Sequence, residues 1–274
     1  MPSQYWDEKL AARYGAFRYE FWERALAGKT VVVAGGTGGL GAATVGLLAA
    51  EGARLVVGYR ANRARAERLA SAMREQFGAE IKLVAGDIAE AATRKTYLDA
   101  VESLGASLEA AAIFPGDPAR ASLESLDREQ MLRSLEANYV GPALLARDLG
   151  TAMERSPSGG SVVLLATMQA LEAFTGSLNY GPPKAALVHA GRVLAKQWSG
   201  VRVNVVAPGA TVAGMAEASV SGGKYDSFVA SGAIARFGRP EDVARAVRFF
   251  LQPDNYVTGE VLLVDGGLTL KRGT

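Results

Sequence analysis

The sequence contains no cysteine and a single histidine, His189. Disulfide bonds, thiolate catalysis and zinc sites built on cysteine are therefore excluded, because each of them needs a thiol. A histidine-rich metal site is excluded too, because no second imidazole could share the ion. We predict no metal site and interpret His189 as a packed or surface residue.

Long apolar runs and blocks of like charge are also lacking. No stretch approaches the ~18 consecutive apolar residues of a membrane-spanning helix, and the early acidic residues Asp7 and Glu8 are not typical of an export signal. The 30 basic and 28 acidic residues leave a net charge of +2 without a basic block, which disfavours nucleic acid as a partner. We expect a cytoplasmic protein that binds neither membrane nor nucleic acid.

The chain has enough apolar material for one large core. Of its 274 residues, 49% are hydrophobic and 21% are charged, as in ordinary globular proteins. Residues 1–27 stand apart, because apolar residues recur there with helical spacing. Those residues are Trp6, Leu10, Tyr14, Phe17 and Phe21. We predict an amphipathic arm over residues 1–27, packed on the domain or on a second copy, and one domain over residues 28–274.

From residue 28 onward, short β-branched segments alternate with longer segments of helical periodicity. This alternation predicts right-handed βαβ crossovers and an α/β fold, with a doubly wound parallel sheet of about seven strands and helices on both faces. The predicted strands are Thr30–Ala34, Arg54–Val57, Ile81–Val84, Ala110–Phe114, Ser161–Ala166, Val201–Val206 and Val261–Val264. The predicted helices include Ala61–Phe77, Leu126–Asp148 and Ala185–Trp198.

A glycine-rich segment joins the first predicted strand to the next helix. Glycines at such a turn let the backbone approach a pyrophosphate, which free N–H groups and the positive end of the helix dipole stabilise. The expected dinucleotide contacts in this segment are Gly35, Thr37, Gly38, Gly39, Leu40 and Gly41. The sequence therefore predicts a Rossmann-type dinucleotide-binding domain, with a tight turn that holds no ligand as the alternative.

The end of the second predicted strand bears on the choice of dinucleotide. An acidic residue about 20 positions after the glycines holds the ribose hydroxyls of NAD, whereas an arginine accommodates the 2′-phosphate of NADP. The segment reads Gly58-Tyr59-Arg60, with Arg63 close behind and no acidic residue. NADP(H) is therefore favoured over NAD(H), with Arg60 as the expected contact. Alternatively, Arg60 and Arg63 are solvent-exposed residues at the start of a helix and bind no phosphate.

Tyr180 and Lys184 are four residues apart at the start of a helical segment, which places both on one face. An ammonium group beside a phenol favours the phenolate and lowers the pKa of the phenol from about 10. Such a tyrosine is a usable acid and base near neutral pH. The pair is a candidate site of proton transfer.

These features, in this order, resemble the short-chain dehydrogenase/reductase family over Gly28 to about Gly267. The resemblance implies a tetrad in which a hydroxyl contacts the substrate oxygen, an asparagine supports a water relay, and a lysine also binds the nicotinamide ribose. The tetrad residues would be Asn138, Thr167, Tyr180 and Lys184, with threonine in place of the usual serine. The resemblance also implies adenine contacts and nicotinamide contacts at Asp87, Ile88, Pro208, Gly209 and Thr211.

Three segments depart from the family pattern. Ile113-Phe114-Pro115-Gly116 replaces Asn-Asn-Ala-Gly, and Ala213 stands where a threonine is expected. The catalytic pair reads Tyr180-Gly181-Pro182-Pro183-Lys184. Because proline is tolerated only in the first helical turn and restricts the residue before it, we expect the helix to begin at Pro182 and Tyr180 to leave its usual register.

The leading hypothesis is an NADP(H)-dependent oxidoreductase that interconverts a small carbonyl compound and an alcohol by hydride transfer, with Tyr180 as acid and base. The alternative is a dinucleotide-binding sensor or assembly subunit with little turnover. Met168, Phe174, Leu178 and the segment Ala213 to Phe237 are expected to form apolar pocket walls and a mobile lid, with Gly222-Gly223 as the hinge. The resemblance further implies a homo-oligomer, either a tetramer or a dimer.

Overall fold

A seven-stranded parallel sheet forms the centre of the protein in a computed structural model that describes residues 23–214 and 217–270. The strands are β1 Thr30–Ala34, β2 Arg54–Tyr59, β3 Ile81–Ala85, β4 Leu108–Ile113, β5 Gly160–Leu165, β6 Val201–Pro208 and β7 Val261–Val264. Their order across the sheet is β3-β2-β1-β4-β5-β6-β7. The order reverses between β1 and β4, and this switch opens a crevice at the carboxyl ends of the strands.

Helices cover both faces of the sheet. They are α1 Gly39–Ala50, α2 Arg63–Phe77, α3 Ala91–Glu102, α4 Arg128–Leu135, α5 Gly141–Glu154, α6 Gly181–Gln197, α7 Glu217–Ser221, α8 Asp226–Ala230 and α9 Pro240–Leu251. A π-helical turn, Glu136–Val140, joins α4 to α5, and a 3-10 turn, Met168–Ala170, follows β5. The predicted α/β fold with seven parallel strands and helices on both faces is confirmed.

The core has two apolar layers, one on each face of the sheet. Val32 of β1 faces the layer beneath α3, α5 and α6, whereas Val31 and Val33 face the layer beneath α1 and α9. All five residues of β1 are buried, as expected for a central parallel strand covered on both sides. The rigid centre therefore lies directly behind the crevice.

The single helix predicted over Leu126–Asp148 is wrong in one respect, because the structure divides it. Asp127 caps α4 through its side chain, which accepts from the backbone N–H of Gln130 at 2.8 Å. Pro142 lacks an N–H and cannot donate to the carbonyl of Asn138, four residues earlier. The N–H of Gly141 bonds the carbonyl of Glu136 instead, and the chain widens into the π-helical turn.

Two further expectations concern chain segments outside the sheet. The predicted arm over residues 1–27 lies, up to residue 22, outside the described residues. The segment around the predicted hinge Gly222-Gly223 contains the short helices α7 and α8. Tyr225 between them is buried, so this part of the chain packs on the domain.

A buried ion pair fastens the loop after β3 to α5. Arg94, whose side chain is 8% exposed, donates from Nε to Asp148 at 2.8 Å. Its Nη1 donates to the carbonyl oxygens of Ile88 at 3.0 Å and Ala89 at 2.6 Å. One guanidinium thus satisfies three acceptors and fixes the loop that borders the crevice.

Replacing Arg94 with alanine is expected to lower the free energy of unfolding by about 3 kcal/mol, because two carbonyl oxygens lose their donor and a partly buried carboxylate loses one partner. Lys95→Ala is the matched control, since Lys95 pairs with Asp99 on the surface and such pairs contribute roughly 0.3–0.5 kcal/mol. Urea denaturation of both variants measures the difference. Equal losses would contradict the anchoring role of Arg94.

Candidate active site

Two adjoining cavities occupy the carboxyl-end crevice. The first, of about 320 Å³, lies over the ends of β1 and β2, and the second, of about 410 Å³, over the ends of β5 and β6. Leu40 and Leu165 line both cavities. The first cavity is lined by the predicted cofactor residues Gly35, Thr37, Gly38, Gly39, Leu40, Gly41, Arg60, Asp87 and Ile88. The second is lined by Thr167, Tyr180, Pro208, Gly209 and Thr211.

The glycine segment shapes the floor of the first cavity. A Cβ on Gly41 would overlap the carbonyl of Gly35, and one on Gly39 would stand 2.7 Å from the backbone nitrogen of Gly214. Helix α1 begins at Gly39 with no side-chain cap and no acidic residue in its first turn. Its first N–H groups therefore remain free for an anion. This cradle fits the pyrophosphate of a dinucleotide.

The rim of the first cavity carries the groups that distinguish dinucleotides. Arg60 is exposed and lines the cavity, and it has no ion pair or hydrogen bond among the residues that the structure describes. Arg63, in contrast, donates to Glu67 at 2.7 Å. The carboxylate of Asp87 accepts from the backbone N–H of Ala89 at 2.9 Å, which holds the turn after β3. Arg60 is thus the available cation on this rim.

Lys184 lies beneath the place where the cavities meet. Its side chain is 1% exposed, and Nζ donates to the carbonyl oxygens of Leu165 at 2.9 Å and Pro115 at 3.4 Å. Burial lowers the pKa of Lys184 to about 7. A Cβ on Gly116 would stand 3.0 Å from Nζ, so the glycine allows the ammonium group to pack against the loop after β4.

Asn138 braces the loop that departs from the family pattern. From the π-helical turn, its Nδ2 donates to the carbonyl of Asp117 at 2.9 Å and its Oδ1 accepts from the N–H of Asp117 at 3.0 Å. Nδ2 also contacts the hydroxyl of Ser134 at 3.2 Å. A single buried amide on a neighbouring helix thus holds a loop that has no asparagine of its own.

The Gly-Pro-Pro segment leaves the spacing of Tyr180 and Lys184 intact. The helix begins at Gly181 and not at Pro182 as expected, and the N–H of Lys184 donates to the carbonyl of Tyr180 at 3.4 Å. The prolines fall in the first turn, where a missing N–H costs nothing. A Cβ on Gly181 would stand 2.8 Å from the carbonyl of Gln169, so the glycine brings the helix close to the turn that carries Thr167.

The expected lowering of the pKa of Tyr180 is wrong for this structure. Burial raises the pKa of Tyr180 to about 12, the hydrogen-bonding hydroxyl of Thr167 acts in the opposite direction, and the charge of Asp117 raises it further. The ammonium group of Lys184 instead donates to two backbone carbonyls. Tyr180 therefore holds its proton at neutral pH.

The second cavity has a more polar wall than the sequence suggested. Met168 lines it, but Phe174 and Leu178 do not, because Phe174 packs in a small apolar cluster and Leu178 is exposed. The expected segment Ala213 to Phe237 does line it, through Ala213, Ser219, Lys224 and Tyr225. The lining residues Arg120, Ser122 and Gln169 carry no sequence signal. They come from loops without a family motif, and only their spatial meeting identifies them.

Comparison with known proteins identifies the family. A family model described as enoyl-(acyl carrier protein) reductase matches residues 34–269. An uncharacterized oxidoreductase of Methylorubrum extorquens is 30% identical over 89% of this chain and 98% of its own length. The chain belongs to the short-chain dehydrogenase/reductase family. This short-chain dehydrogenase/reductase is therefore an oxidoreductase that acts on small molecules.

Further relatives span the same region. The D-threitol dehydrogenase of Mycolicibacterium smegmatis is 30% identical over 90% of this chain and 95% of its own. The NADPH-dependent aldehyde reductase 2 of Arabidopsis thaliana chloroplasts is 28% identical over 89% and 95%. A solved short-chain dehydrogenase/reductase from Serratia marcescens superposes with a TM-score of 0.80 at 30% identity, covering 89% of this chain and 99% of that one.

Two absences apply to the part of the chain that the structure describes. No helix within residues 23–214 and 217–270 is long and apolar enough to cross a membrane. Over the same ranges, no group of three or more histidine, aspartate or glutamate side chains could hold a metal ion.

The buried lysine predicts how the stability of this oxidoreductase varies with pH. Since the pKa of Lys184 falls from 10.5 to about 7 on folding, the unfolded chain binds one more proton between these pH values. The free energy of unfolding of the wild type should therefore rise relative to Lys184→Met by about 1.4 kcal/mol per pH unit between pH 7.5 and 9.5. Thermal and urea unfolding across this range measure the gap.

Lys95→Met serves as control for that experiment. Lys95 is exposed and its pKa is raised by Asp99, so it does not titrate between pH 7.5 and 9.5. The difference in free energy of unfolding between Lys95→Met and wild type should therefore stay constant with pH. If the difference between wild type and Lys184→Met also stayed constant with pH, the pKa of Lys184 would not be lowered by folding.

Proposed function

We propose that this reductase catalyses the reversible, NADP(H)-dependent reduction of a small carbonyl compound to an alcohol, with Tyr180 as general acid and base. One observation carries the proposal: Tyr180 and Thr167 line the second cavity, which meets the first at Leu40 and Leu165, and the buried Lys184 lies beneath. A dinucleotide cradle and a proton donor thus adjoin one another.

The bound dinucleotide would supply a hydride, and the chain would supply position and a proton. In reduction, the carbonyl carbon gains the hydride and its oxygen takes the hydroxyl proton of Tyr180, so that the substrate gains two electrons and two hydrogens. The hydroxyl of Thr167 orients and polarises that oxygen by donating a hydrogen bond. Oxidation of the alcohol reverses both transfers, with the Tyr180 phenolate as base.

The protonation state of the site favours reduction at neutral pH. Tyr180, with a pKa of about 12, carries the proton that a carbonyl oxygen needs. Lys184, with a pKa of about 7, can exchange a proton in the same range, and its Nζ donates to the carbonyl of Leu165, a residue that lines both cavities. Asn138 hydrogen-bonds the backbone of Asp117. From this position Asn138 would support the return of a proton to Tyr180.

The preference for NADP(H) is supported by the charges on the rim of the first cavity. Arg60 lies there while Arg63 is engaged by Glu67, and the segment Gly58-Tyr59-Arg60 carries no carboxylate to bind the ribose hydroxyls of NAD. A guanidinium binds a phosphate through paired, charge-assisted hydrogen bonds. We assign the 2′-phosphate to Arg60.

The phenol proton is tested by Tyr180→Phe. Carbonyl reduction should fall about 10³-fold, because general acid catalysis of this kind contributes 10²- to 10⁴-fold, while NADPH affinity stays within about twofold because the hydroxyl faces the second cavity. A stopped-flow assay on an aldehyde and ketone panel and a fluorescence titration give the two values.

Tyr256→Phe, at a fully exposed tyrosine, controls for the substitution itself. A Tyr180→Phe variant that kept more than a tenth of the wild-type rate would contradict the role of Tyr180. A wild type that binds NADPH but turns over no carbonyl or alcohol would support the sensor hypothesis instead.

Arg60→Ala tests the choice of dinucleotide. The Kd for NADPH should rise roughly tenfold, because one charge-assisted contact contributes about 1.5 kcal/mol, and the Kd for NADH should stay unchanged. Arg63→Ala is the matched control, since its guanidinium is paired with Glu67, and should change neither value by more than twofold. Equal weakening of NADPH and NADH by Arg60→Ala would contradict the assignment.

The cytoplasmic location and the assembly into a homodimer or homotetramer stay predictions. So do the division at residue 27 and the contacts of Asp87, Ile88, Pro208, Gly209 and Thr211 with the two ends of the dinucleotide.

A further inference from the structure

Tyr97 is a buried tyrosine that borders the first cavity. It lies in the middle of α3, with its side chain 1% exposed, in the apolar layer that also contains Val56, Val84 and Ile88. It nevertheless lines the cavity, together with Ile88 and Gly86 from the loop after β3. None of the motifs in the sequence marks this residue.

The hydroxyl of Tyr97 reaches the end of β2. A Cβ on Gly58 would overlap the phenol oxygen, with the ring atom that bears it 2.7 Å away. Any larger residue at position 58 would therefore displace the ring. The glycine leaves room for the hydroxyl immediately before Tyr59 and Arg60, which also line the first cavity.

This hydroxyl has no hydrogen-bond partner within residues 23–214 and 217–270. Burial raises the pKa of Tyr97 well above its ordinary value, and no other group affects it, so it is a neutral donor at any physiological pH. The hydroxyl oxygen is not among the fully buried side-chain atoms that lack a partner, so it opens onto the first cavity that Tyr97 lines. A cavity-facing donor that no protein group engages is available to a bound ligand, whereas phenylalanine would fill the same space without offering one.

The position of Tyr97 along the cavity indicates which part of a dinucleotide it meets. The cradle Gly39–Gly41 holds the pyrophosphate in the centre, and the Thr167 and Tyr180 side chains mark the nicotinamide side. Tyr97 lies on the opposite side, with Ile88 and the buried end of β2, while Arg60 is at the exposed rim. An apolar wall with one buried donor suits a purine ring, which offers a flat face and acceptor nitrogens.

We propose that the Tyr97 hydroxyl donates a hydrogen bond to an acceptor nitrogen of the adenine base of the bound dinucleotide. The proposal rests on the proposed function only in that this reductase binds such a dinucleotide. It makes Tyr97 a base contact that acts equally on NADPH and NADH, separate from the phosphate contact assigned to Arg60.

Tyr97→Phe removes the hydroxyl and keeps the ring. In fluorescence titrations the Kd values for NADPH and NADH should both rise about fivefold, within the 0.5–1.5 kcal/mol of a neutral hydrogen bond. The Kd for reduced nicotinamide mononucleotide, which lacks adenosine, should stay unchanged. The melting temperature without ligand should stay the same or rise, because the hydroxyl has no protein partner to lose. Tyr256→Phe should change none of these values.

The outcomes separate the two proposals. Failure of the wild type to bind either dinucleotide would overturn the proposed function and this inference together. Tight wild-type binding with unchanged Kd values for Tyr97→Phe would overturn only the adenine contact. If Tyr97→Phe weakened the binding of NADPH but not of NADH, the hydroxyl would contact the 2′-phosphate. If it weakened the binding of reduced nicotinamide mononucleotide equally, the substitution would have a general structural effect. Either result also overturns the adenine contact.

Discussion

The rest of the site depends on the burial of one ammonium group. Nζ of Lys184 donates to the carbonyl of Leu165 at the end of β5 and to that of Pro115 after β4, so a side chain of α6 joins the ends of two neighbouring strands. An amine without water is stabilised only by such acceptors. The carbonyls fix its position, its burial lowers its pKa to about 7, and Tyr180, one helical turn earlier, is held beside the second cavity.

The backbone around this lysine includes the loop after β4 that departs from the family pattern, and two residues that match the pattern hold it. Gly116 allows the ammonium group to approach, and Asn138 bonds both backbone groups of Asp117. Asn138 reaches them from a π-helical turn, which arises where Pro142 lacks the N–H that an α-helix would use. The loop after β4 lacks the usual asparagines, and the side chain of Asn138 on a neighbouring helix hydrogen-bonds it instead. The loop stays ordered with another set of hydrogen bonds.

The crevice keeps the proposed dinucleotide site apart from the proposed site of proton transfer. Backbone N–H groups and glycines dominate the centre of the first cavity, where close approach matters more than side-chain identity. Hydroxyl and phenol groups line the second cavity, where the proposed mechanism transfers a proton. Tyr97 is a polar exception in an apolar wall, and its unmet hydrogen bond distinguishes it from the packed residues around it. A polar group in apolar surroundings breaks a rule of packing, and such exceptions are expected at functional positions.

The sequence by itself determined the seven strands, the glycine-rich turn after β1 and the one-turn spacing of Tyr180 and Lys184, because alternation, glycine spacing and a helical interval are local patterns. Local reasoning failed where partners come from distant segments. The helix begins at Gly181, where the carbonyl of Gln169 leaves no room for a Cβ, and a π-helical turn lies beside Pro142, which lacks the N–H of an α-helical bond. The high pKa of Tyr180, the lining of the second cavity by Arg120 and Ser122, and the hydroxyl of Tyr97 without a protein partner depend on the surroundings that the fold creates. Only the tertiary structure decides burial, since it determines which groups lose water and which find a partner.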